Sequence, residues 1–327
     1  MISSPSHSRL VTAASAVLVL AGVVALFFSQ STVESRAGLV TAPKKKKVLL
    51  IGIDGCRSDA LQAADAPRLK ALAAEGTVTW NAVAGGELNG PTQQPTVSGP
   101  GWSSILCGVC MDKHRIFDNK FIGHQLERYP HFFRRLKEAR PALLEGQAST
   151  WAPLENIILW QSAADFVDWH FLSLVGTHKM KDAQAADAAV KWLRDASPDV
   201  LFIHFDSVDE AGHATGFTPA NPEYLAAIHD VDTHAGELMD AIRTRQDYPN
   251  EDWLTIVVTD HGGNGTSHGG QSPGERRIFL IASGGPWPKG RVSEDTPRQS
   301  AVPSMIASFL DISVPDAWGW EPAWSVK

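Results

Sequence analysis

Short apolar segments rich in β-branched residues recur along the chain, and none alternates cleanly between apolar and polar positions. Strands buried on both faces of a sheet carry this pattern, because neither face meets water. The segments predict strands over residues 48–53, 200–205, 254–259 and 278–282.

Stretches with apolar residues at helical spacing lie between these strands. The clearest, residues 222–245, places Leu225, Ile228 and Leu238 on one stripe. Strands that alternate with helices predict an α/β fold with a mainly parallel sheet covered by helices on both faces. No linker-like break follows residue 48, so residues 44–327 are expected to form a single domain. The other predicted helices are 67–75, 130–139, 183–196 and 303–310.

The first 30 residues differ from the rest. Arg9 precedes residues 10–28, which carry no charge, and small polar residues follow. This pattern fits a signal peptide, and its length also fits an N-terminal membrane anchor. Either alternative exports the remainder, to a periplasmic or extracellular location. Residues 31–43 are expected to be a linker, and the lysines at 44–47 a solvated charge run.

Composition narrows the function classes. The 327 residues carry a net charge of −7, so no basic nucleic-acid-binding surface is expected. Three cysteines are too few for a secreted disulfide scaffold. Cys107 and Cys110 form one C-x-x-C pair, which could be bridged or remain as buried thiols, and Cys56 is unpaired.

Acidic and imidazole side chains follow two of the predicted strands. The segment over residues 254–259 ends on Asp260 and His261, and the segment over residues 48–53 ends on Asp54. Open α/β sheets build their sites at the carboxyl edge of the strands. Carboxylate oxygens and imidazole nitrogens suit Zn²⁺. Alone, Asp54 is better explained as a helix-capping or turn residue.

A third predicted strand leads into Asp209 and His213, which are four residues apart and would share one face of a helix. Asp206 is a rival ligand at the strand end, and His204 reads as a core histidine. With His268, the chain offers three carboxylates and three imidazoles. That number suits two metal sites with open positions.

A candidate nucleophile lies where a loop meets a short helix. Ser98 precedes Pro100, so it would sit at a helix N-terminus, where free N–H groups favour an anion such as phosphate. A hydroxyl there, beside Zn²⁺, could attack phosphorus. Thr96 is the alternative nucleophile, and Trp102 could line a pocket or fill the core.

This ordered set of motifs resembles the type I phosphodiesterase/nucleotide pyrophosphatase branch of the alkaline phosphatase superfamily. The resemblance runs from about residue 48 to residue 283, most of the chain after the linker. It is carried by Asp54-Gly, Ser98-x-Pro, Asp209-x-x-x-His213, Asp260-His261-Gly and His268-Gly.

The resemblance implies a three-layer α/β/α sandwich with two Zn²⁺ ions, for which Mn²⁺ is the alternative. It makes Ser98 the nucleophile, in contact with metal, and Asn119 the side chain that holds a phosphate oxygen. It assigns one ion to Asp209, His213 and His268, and the other to Asp54, Asp260 and His261.

Two departures limit what the resemblance implies. The interval between His261 and His268 is short, so nucleotide specificity is not implied. Trp102 stands where a sulfatase motif would place arginine, which argues against sulfatase chemistry.

The expected function is therefore an exported, metal-dependent phosphoester hydrolase that forms a phosphoserine and acts on a small-molecule phosphoester. A phosphodiesterase is favoured, because Asn119 matches that branch. The alternatives are a phosphomonoesterase and a non-catalytic exported metal-binding protein. Residues 10–28 would supply a membrane tether in the anchored form.

Overall fold

One eight-stranded sheet runs through the protein in the computed structural model, which describes residues 43–325. Its spatial order is β4-β3-β5-β1-β6-β7-β2-β8, so β1 lies near the centre between β5 and β6. The strands are β1 Lys45–Ile53, β2 Gly76–Val83, β3 Glu145–Ser149, β4 Trp169–Leu172, β5 Val200–Phe205, β6 Glu251–Val258, β7 Arg277–Gly284 and β8 Arg291–Ser293.

The sheet is mainly parallel, as the alternation of strands and helices predicted. Strand β1 pairs in parallel with both β5 and β6, in the register Gly52 to His204 and Gly52 to Val258. Strand β7 is the exception, since it runs antiparallel to β6 and to β2. The carboxyl ends of β1, β5 and β6 therefore meet at one edge of the sheet.

Helices cover both faces of this sheet and complete the α/β/α sandwich. One apolar core lies under α3, α5 and α11, and the other under α2, α7 and α9. The helices are α1 Ser58–Ala63, α2 Pro67–Glu75, α3 Ser98–Cys107, α4 Met111–His114, α5 Phe132–Ala139, α6 Trp160–Ala163, α7 His178–Asp195, α8 Ser207–Thr215, α9 Pro222–Arg243, α10 Pro273–Arg276 and α11 Val302–Phe309.

Two local expectations were wrong. Strand β1 begins at Lys45 rather than at residue 48, and Lys47 is fully buried instead of solvated. Its ammonium group is 3.1 Å from Asp199 and 4.0 Å from Glu251, and two backbone carbonyls accept from it. Burial lowers the pKa of Lys47, while Asp199 opposes that shift. The charge can be buried here because its acidic partners lie at the starts of β5 and β6, the two strands that flank β1.

The predicted export segment and linker at residues 1–42 lie outside the described residues. Within residues 43–325, no helix has the length and apolar character needed to cross a bilayer. The three cysteines are buried thiols and form no disulfide.

Candidate active site

The carboxyl edge of the three central strands brings the predicted ligands together. Asp54 follows β1 directly, and Asp260 follows β6 after one residue. Strand β5 leads into α8, whose first two turns carry Asp209 and His213. Because β1 pairs with both neighbours in parallel, these side chains converge although they are far apart in sequence.

Close backbone packing fixes the carboxylates in place. Gly55 has φ +64°, which favours glycine, and a Cβ there would lie 2.4 Å from Asp209 Oδ1. Its N–H donates to Asp260 Oδ1 at 3.1 Å. On the other side, a Cβ at Gly101 in α3 would lie 2.9 Å from Asp260 Cβ. Small residues thus let the backbone approach the acidic groups.

Backbone carbonyls set the tautomer of three imidazoles. Each Nδ1 donates its proton to a carbonyl: His213 to Thr266 at 3.0 Å, His261 to Gly262 at 2.8 Å, and His268 to Thr96 at 2.9 Å. A neutral imidazole with a proton on Nδ1 has a lone pair on Nε2. All three histidines therefore present Nε2 as a ligand, the arrangement that metal-binding histidines use.

The bare nitrogens face bare carboxylate oxygens. His268 Nε2 lies 3.0 Å from His213 Nε2 and 3.6 Å from Asp209 Oδ1. His261 Nε2 lies 3.2 Å from Asp260 Oδ2 and 3.6 Å from Asp54 Oδ1. Two nitrogen lone pairs that face each other at 3.0 Å repel unless a proton or a metal ion lies between them.

One oxygen of each carboxylate has no hydrogen-bond donor within the described residues. These buried atoms are Asp54 Oδ1, Asp209 Oδ1 and Asp260 Oδ2. Buried polar atoms without partners are costly, and metal ligation is one way to satisfy them. The donor set of carboxylate oxygen and imidazole nitrogen fits Zn²⁺. The assignment of these ligands to two separate metal ions stays a prediction.

The crowding of charges shifts the pKa values of the cluster. Burial raises the pKa of Asp209 to about 6. Burial and the nearby charge of Asp54 raise the pKa of Asp260 well above its usual range. In the metal-free protein, a hydrogen bond from protonated His213 Nε2 to Asp209 raises the pKa of His213 to about 9, so a metal ion must displace this proton to reach the nitrogen. The carboxylates therefore repel one another, and a bound cation would relieve that repulsion.

Asp54 uses its second oxygen differently. Oδ2 accepts from Trp102 Nε1 at 2.8 Å and from His204 Nε2 at 3.2 Å. Burial works to raise the pKa of Asp54, but the His204 hydrogen bond and the electrostatic interaction with His261 outweigh it and lower the pKa to about 2. Both donors are fully buried, so Trp102 contacts the site from the core instead of lining a pocket. Sequence reasoning assigned neither contact.

Ser98 lies beside the cluster as the first residue of α3. Its Oγ is 3.4 Å from His261 Nε2, the nitrogen that also faces Asp54 Oδ1 and Asp260 Oδ2. The hydroxyl of Thr96 is engaged elsewhere, since it donates to the Gly270 carbonyl at 2.9 Å. This geometry favours Ser98 over Thr96 as the nucleophile.

Asn119 is held at the start of the same helix. Its Oδ1 accepts from the Gly99 N–H at 2.7 Å, one residue after Ser98. With the carbonyl oxygen directed at the helix, the amide nitrogen is the end left to face a ligand.

A family model for type I phosphodiesterase / nucleotide pyrophosphatase matches residues 48–272, more than half of the chain. The chain belongs to this family. Members of this family depend on metal. GPI ethanolamine phosphate transferase 3 of Schizosaccharomyces pombe is 34% identical over 82 residues, which span 25% of this chain and 8% of that protein.

Solved structures share the fold at low identity. An inactive variant of murine ectonucleotide pyrophosphatase/phosphodiesterase 5 in complex with AMP has TM-score 0.60 at 14% identity, covering 83% of this chain and 96% of that one. A 2-O GAG sulfatase has TM-score 0.65 at 12% identity, covering 83% and 72%. The phosphonate monoester hydrolase of Agrobacterium radiobacter has 0.59 at 15%, covering 85% and 78%. The fold is thus alkaline phosphatase-like.

In this type I phosphodiesterase family member, a cleft of about 390 Å³ opens beside Ser98, Asn119 and His268. A second polar cluster lines its far wall: His178 Nδ1 is 2.7 Å from Asp206 Oδ2, and its Nε2 is 3.3 Å from Glu210. The hydrogen bond to Asp206 raises the pKa of His178. Asp206, the rival ligand of the sequence, is thus paired with His178.

Proposed function

We propose that the protein is an exported, zinc-dependent phosphodiesterase that works through a phosphoserine on Ser98. The observation that carries this proposal is the convergence of bare His261 Nε2 and bare carboxylate oxygens beside the Ser98 hydroxyl at a helix N-terminus. Nucleophile, ligands and an anion-binding helix end are the parts that two-metal phosphoryl transfer needs.

The side chains fit two Zn²⁺ ions, with Mn²⁺ as the alternative because both accept carboxylate-rich sites. When bound, such ions favour the ionised Ser98 hydroxyl and compensate the charge that develops on the leaving oxygen. One ion would be held by Asp209, His213 and His268, and the other by Asp54, Asp260 and His261, with Ser98 beside it.

The chain's own residues account for the covalent steps. Ser98 Oγ attacks phosphorus, the bond from phosphorus to the leaving alkoxide breaks, the alkoxide takes up the proton that Ser98 gives up, and a phosphoserine that still carries the second ester group remains. Water then attacks phosphorus and releases Ser98 with its proton restored. Asn119 holds a phosphoryl oxygen from the helix start, where a fixed donor stabilises the charge of the transition state.

The cleft supports a diester over a monoester. Lys181 is the one lysine or arginine that lines it within residues 43–325, so it lacks a cationic clamp for a dianion. Leu174 also lines the cleft and is 59% exposed, so it offers an apolar contact to the second ester group of a small-molecule diester.

Metal analysis and paired substrates test the proposal. The purified protein should hold two metal ions per chain and should cleave bis(p-nitrophenyl) phosphate with higher kcat/KM than p-nitrophenyl phosphate. A preference for the monoester would leave the site intact but reverse the substrate assignment. Fewer than two ions in a zinc-loaded sample, without esterase activity, would favour the non-catalytic alternative.

Ser98→Ala tests the nucleophile. Turnover should fall by about 10³-fold or more, because no covalent step remains, and the phosphoryl adduct of the quenched enzyme should disappear from its intact mass. Ser103→Ala, one turn further along α3, is the matched control and should keep both. Full turnover in Ser98→Ala would move the role to Thr96 or to water.

Export is the part of the proposal that rests on residues 1–30. The uncharged segment over residues 10–28 after Arg9 supports either a cleaved signal or a retained tether. Fractionation of cells expressing the full chain, with N-terminal sequencing of the product, tests it. A catalytic domain retained with intact residues 1–30 in the cytosolic fraction would contradict export.

A further inference from the structure

A fourth histidine, His204, also contacts the site, but its tautomer differs from that of the other three. It lies on β5 and is fully buried, and the sheet register sets it opposite Gly52, two residues before Asp54. Its Nε2 is 3.2 Å from Asp54 Oδ2.

The hydrogen bonds of His204 make it a donor. A carboxylate accepts only, so Nε2 carries the proton that points at Asp54. Nδ1 lies 3.1 Å from Thr150 Oγ1, and the hydroxyl can donate to it. The three imidazoles described above have the opposite tautomer, with the proton on Nδ1 and Nε2 bare. His204 is therefore built to orient a ligand instead of being one.

Trp102 is the second donor to the same oxygen. Its Nε1 lies 2.8 Å from Asp54 Oδ2, and its ring packs edge-on against the His204 ring with centroids 4.8 Å apart. A Cβ at Gly52 would lie 2.4 Å from the Trp102 ring, so the glycine makes room for the indole. Two rigid N–H groups thus occupy Oδ2 and turn the bare Oδ1 toward His261, which lies 3.6 Å away.

We propose that His204, held by Thr150 and assisted by Trp102, is a positioning residue that presents Asp54 Oδ1 to the metal shared with Asp260 and His261. This inference rests on the proposed function, since it assumes that Asp54 ligates a cation. Groups that orient a ligand in this way typically contribute 10- to 100-fold to metal affinity.

Zinc affinity of the full chain tests the role directly. The metal-free protein is titrated with Zn²⁺ in competition with a chromophoric chelator, for wild type, His204→Leu and His204→Gln. The leucine variant should lose about 10- to 100-fold in affinity at one of the two sites and keep the other unchanged. The glutamine variant retains an N–H near the position of Nε2 and should recover most of the loss.

A matched control separates positioning from the loss of a buried histidine. His131 is also fully buried but lies in the apolar core, and His131→Asn should bind both ions as wild type does. Thr150→Val should weaken the same site as His204→Leu, and Thr150→Ser should restore it. Trp102→Phe supplies a variant that leaves β5 intact and should weaken the same site.

Two results would overturn the inference. Wild-type affinity at both sites in His204→Leu and Trp102→Phe, with only a lower Tm, would leave His204 a structural residue. A third equivalent of Zn²⁺ or Mg²⁺ that wild type binds and His204→Leu loses would make His204 a ligand, together with the nearby Asp206 and Asp54. A wild-type chain that binds no zinc would instead refute the proposed function itself.

Discussion

At the scale of single residues, two core histidines show how the fold uses a neutral imidazole. His114 and His131 each accept, through Nδ1, the backbone N–H two residues later, at 3.0 and 3.1 Å. Both are fully buried, and burial lowers the pKa of each to about 3. They therefore act as local caps for the backbone and must stay uncharged in the folded protein.

This requirement predicts how stability depends on pH. The pKa of His131 is lower in the folded protein than the value of 6.5 expected in the unfolded chain. The neutral His131 therefore contributes its full stabilisation above pH 6.5, and this contribution is lost as the pH falls toward 3. His131→Asn keeps an acceptor for the Phe133 N–H but does not titrate. Between pH 7 and pH 5 the variant should lose about 2 kcal/mol less unfolding free energy than wild type, by urea denaturation.

The half-buried His124 offers a matched control. Its Nδ1 accepts the Leu126 N–H at 3.4 Å, the same local contact in a more exposed place. His124→Asn should retain the wild-type loss of stability between the two pH values. Equal losses in all three proteins would show that His131 is not what makes the fold acid-sensitive.

At the scale of elements, the sequence predicted those parts whose pattern is local. The strands with continuous apolar runs and the long helix α9 were found, because burial and helical spacing are visible in the residues themselves. Strand β3 was missed because Glu145–Ser149 is polar at most positions although every residue is buried. Only its neighbours in the sheet provide the reason for that burial.

The candidate site divides in the same way. Asp54, Asp260 and Asp209 could be predicted, because strand ends and the i,i+4 spacing mark them. The contact of His204 with Asp54 could not, because it depends on the register between β1 and β5. Alternation along one strand indicates that a residue is buried, but not which side chain lies across the sheet.

The start of α3 yields a prediction at this scale. A Cβ at Gly99 would lie 2.6 Å from the Asp118 carbonyl oxygen and 2.9 Å from Asn119 Oδ1, so Gly99→Ala should push Asn119 away from the helix. Both Gly99→Ala and Asn119→Ala should lower kcat/KM for bis(p-nitrophenyl) phosphate by about 10²-fold, the usual effect of losing one fixed donor. Steady-state kinetics with zinc-loaded proteins measures this.

Gly146 serves as the matched glycine control. A Cβ there would lie 3.3 Å from the end of the Leu201 side chain, away from the cleft, so Gly146→Ala should keep wild-type kinetics. The zinc content of Gly99→Ala and Asn119→Ala should also stay unchanged. Full activity in Gly99→Ala would mean that the contact between Asn119 and α3 does not position the phosphate.

At the scale of the whole molecule, the site is a source of instability that the fold tolerates. Two apolar cores hold the sheet from both faces, and at their common edge Asp54, Asp209 and Asp260 are buried together. Burial and the charge of Asp54 raise the pKa of Asp260 well above its usual range. When the pKa of a carboxyl group is higher in the folded than in the unfolded state, the free energy of unfolding falls as the pH rises from 3.8 to the folded pKa. The metal-free protein is therefore destabilised by Asp260 at neutral pH.

Asp260→Asn should consequently make the metal-free protein more stable and should reduce the stability that the protein gains when zinc binds. For wild type, zinc at 100 times its Kd should add about 2.7 kcal/mol for one site, whereas the variant should gain less because a ligand is missing. Thermal unfolding in chelator and in excess zinc gives both quantities, with the exposed Asp187→Asn as a control that should match wild type in each. Two results would contradict this: metal-free Asp260→Asn that unfolds at or below the wild-type Tm, or an undiminished gain in its stability with zinc. Either would show that Asp260 does not both destabilise the metal-free protein and bind the metal.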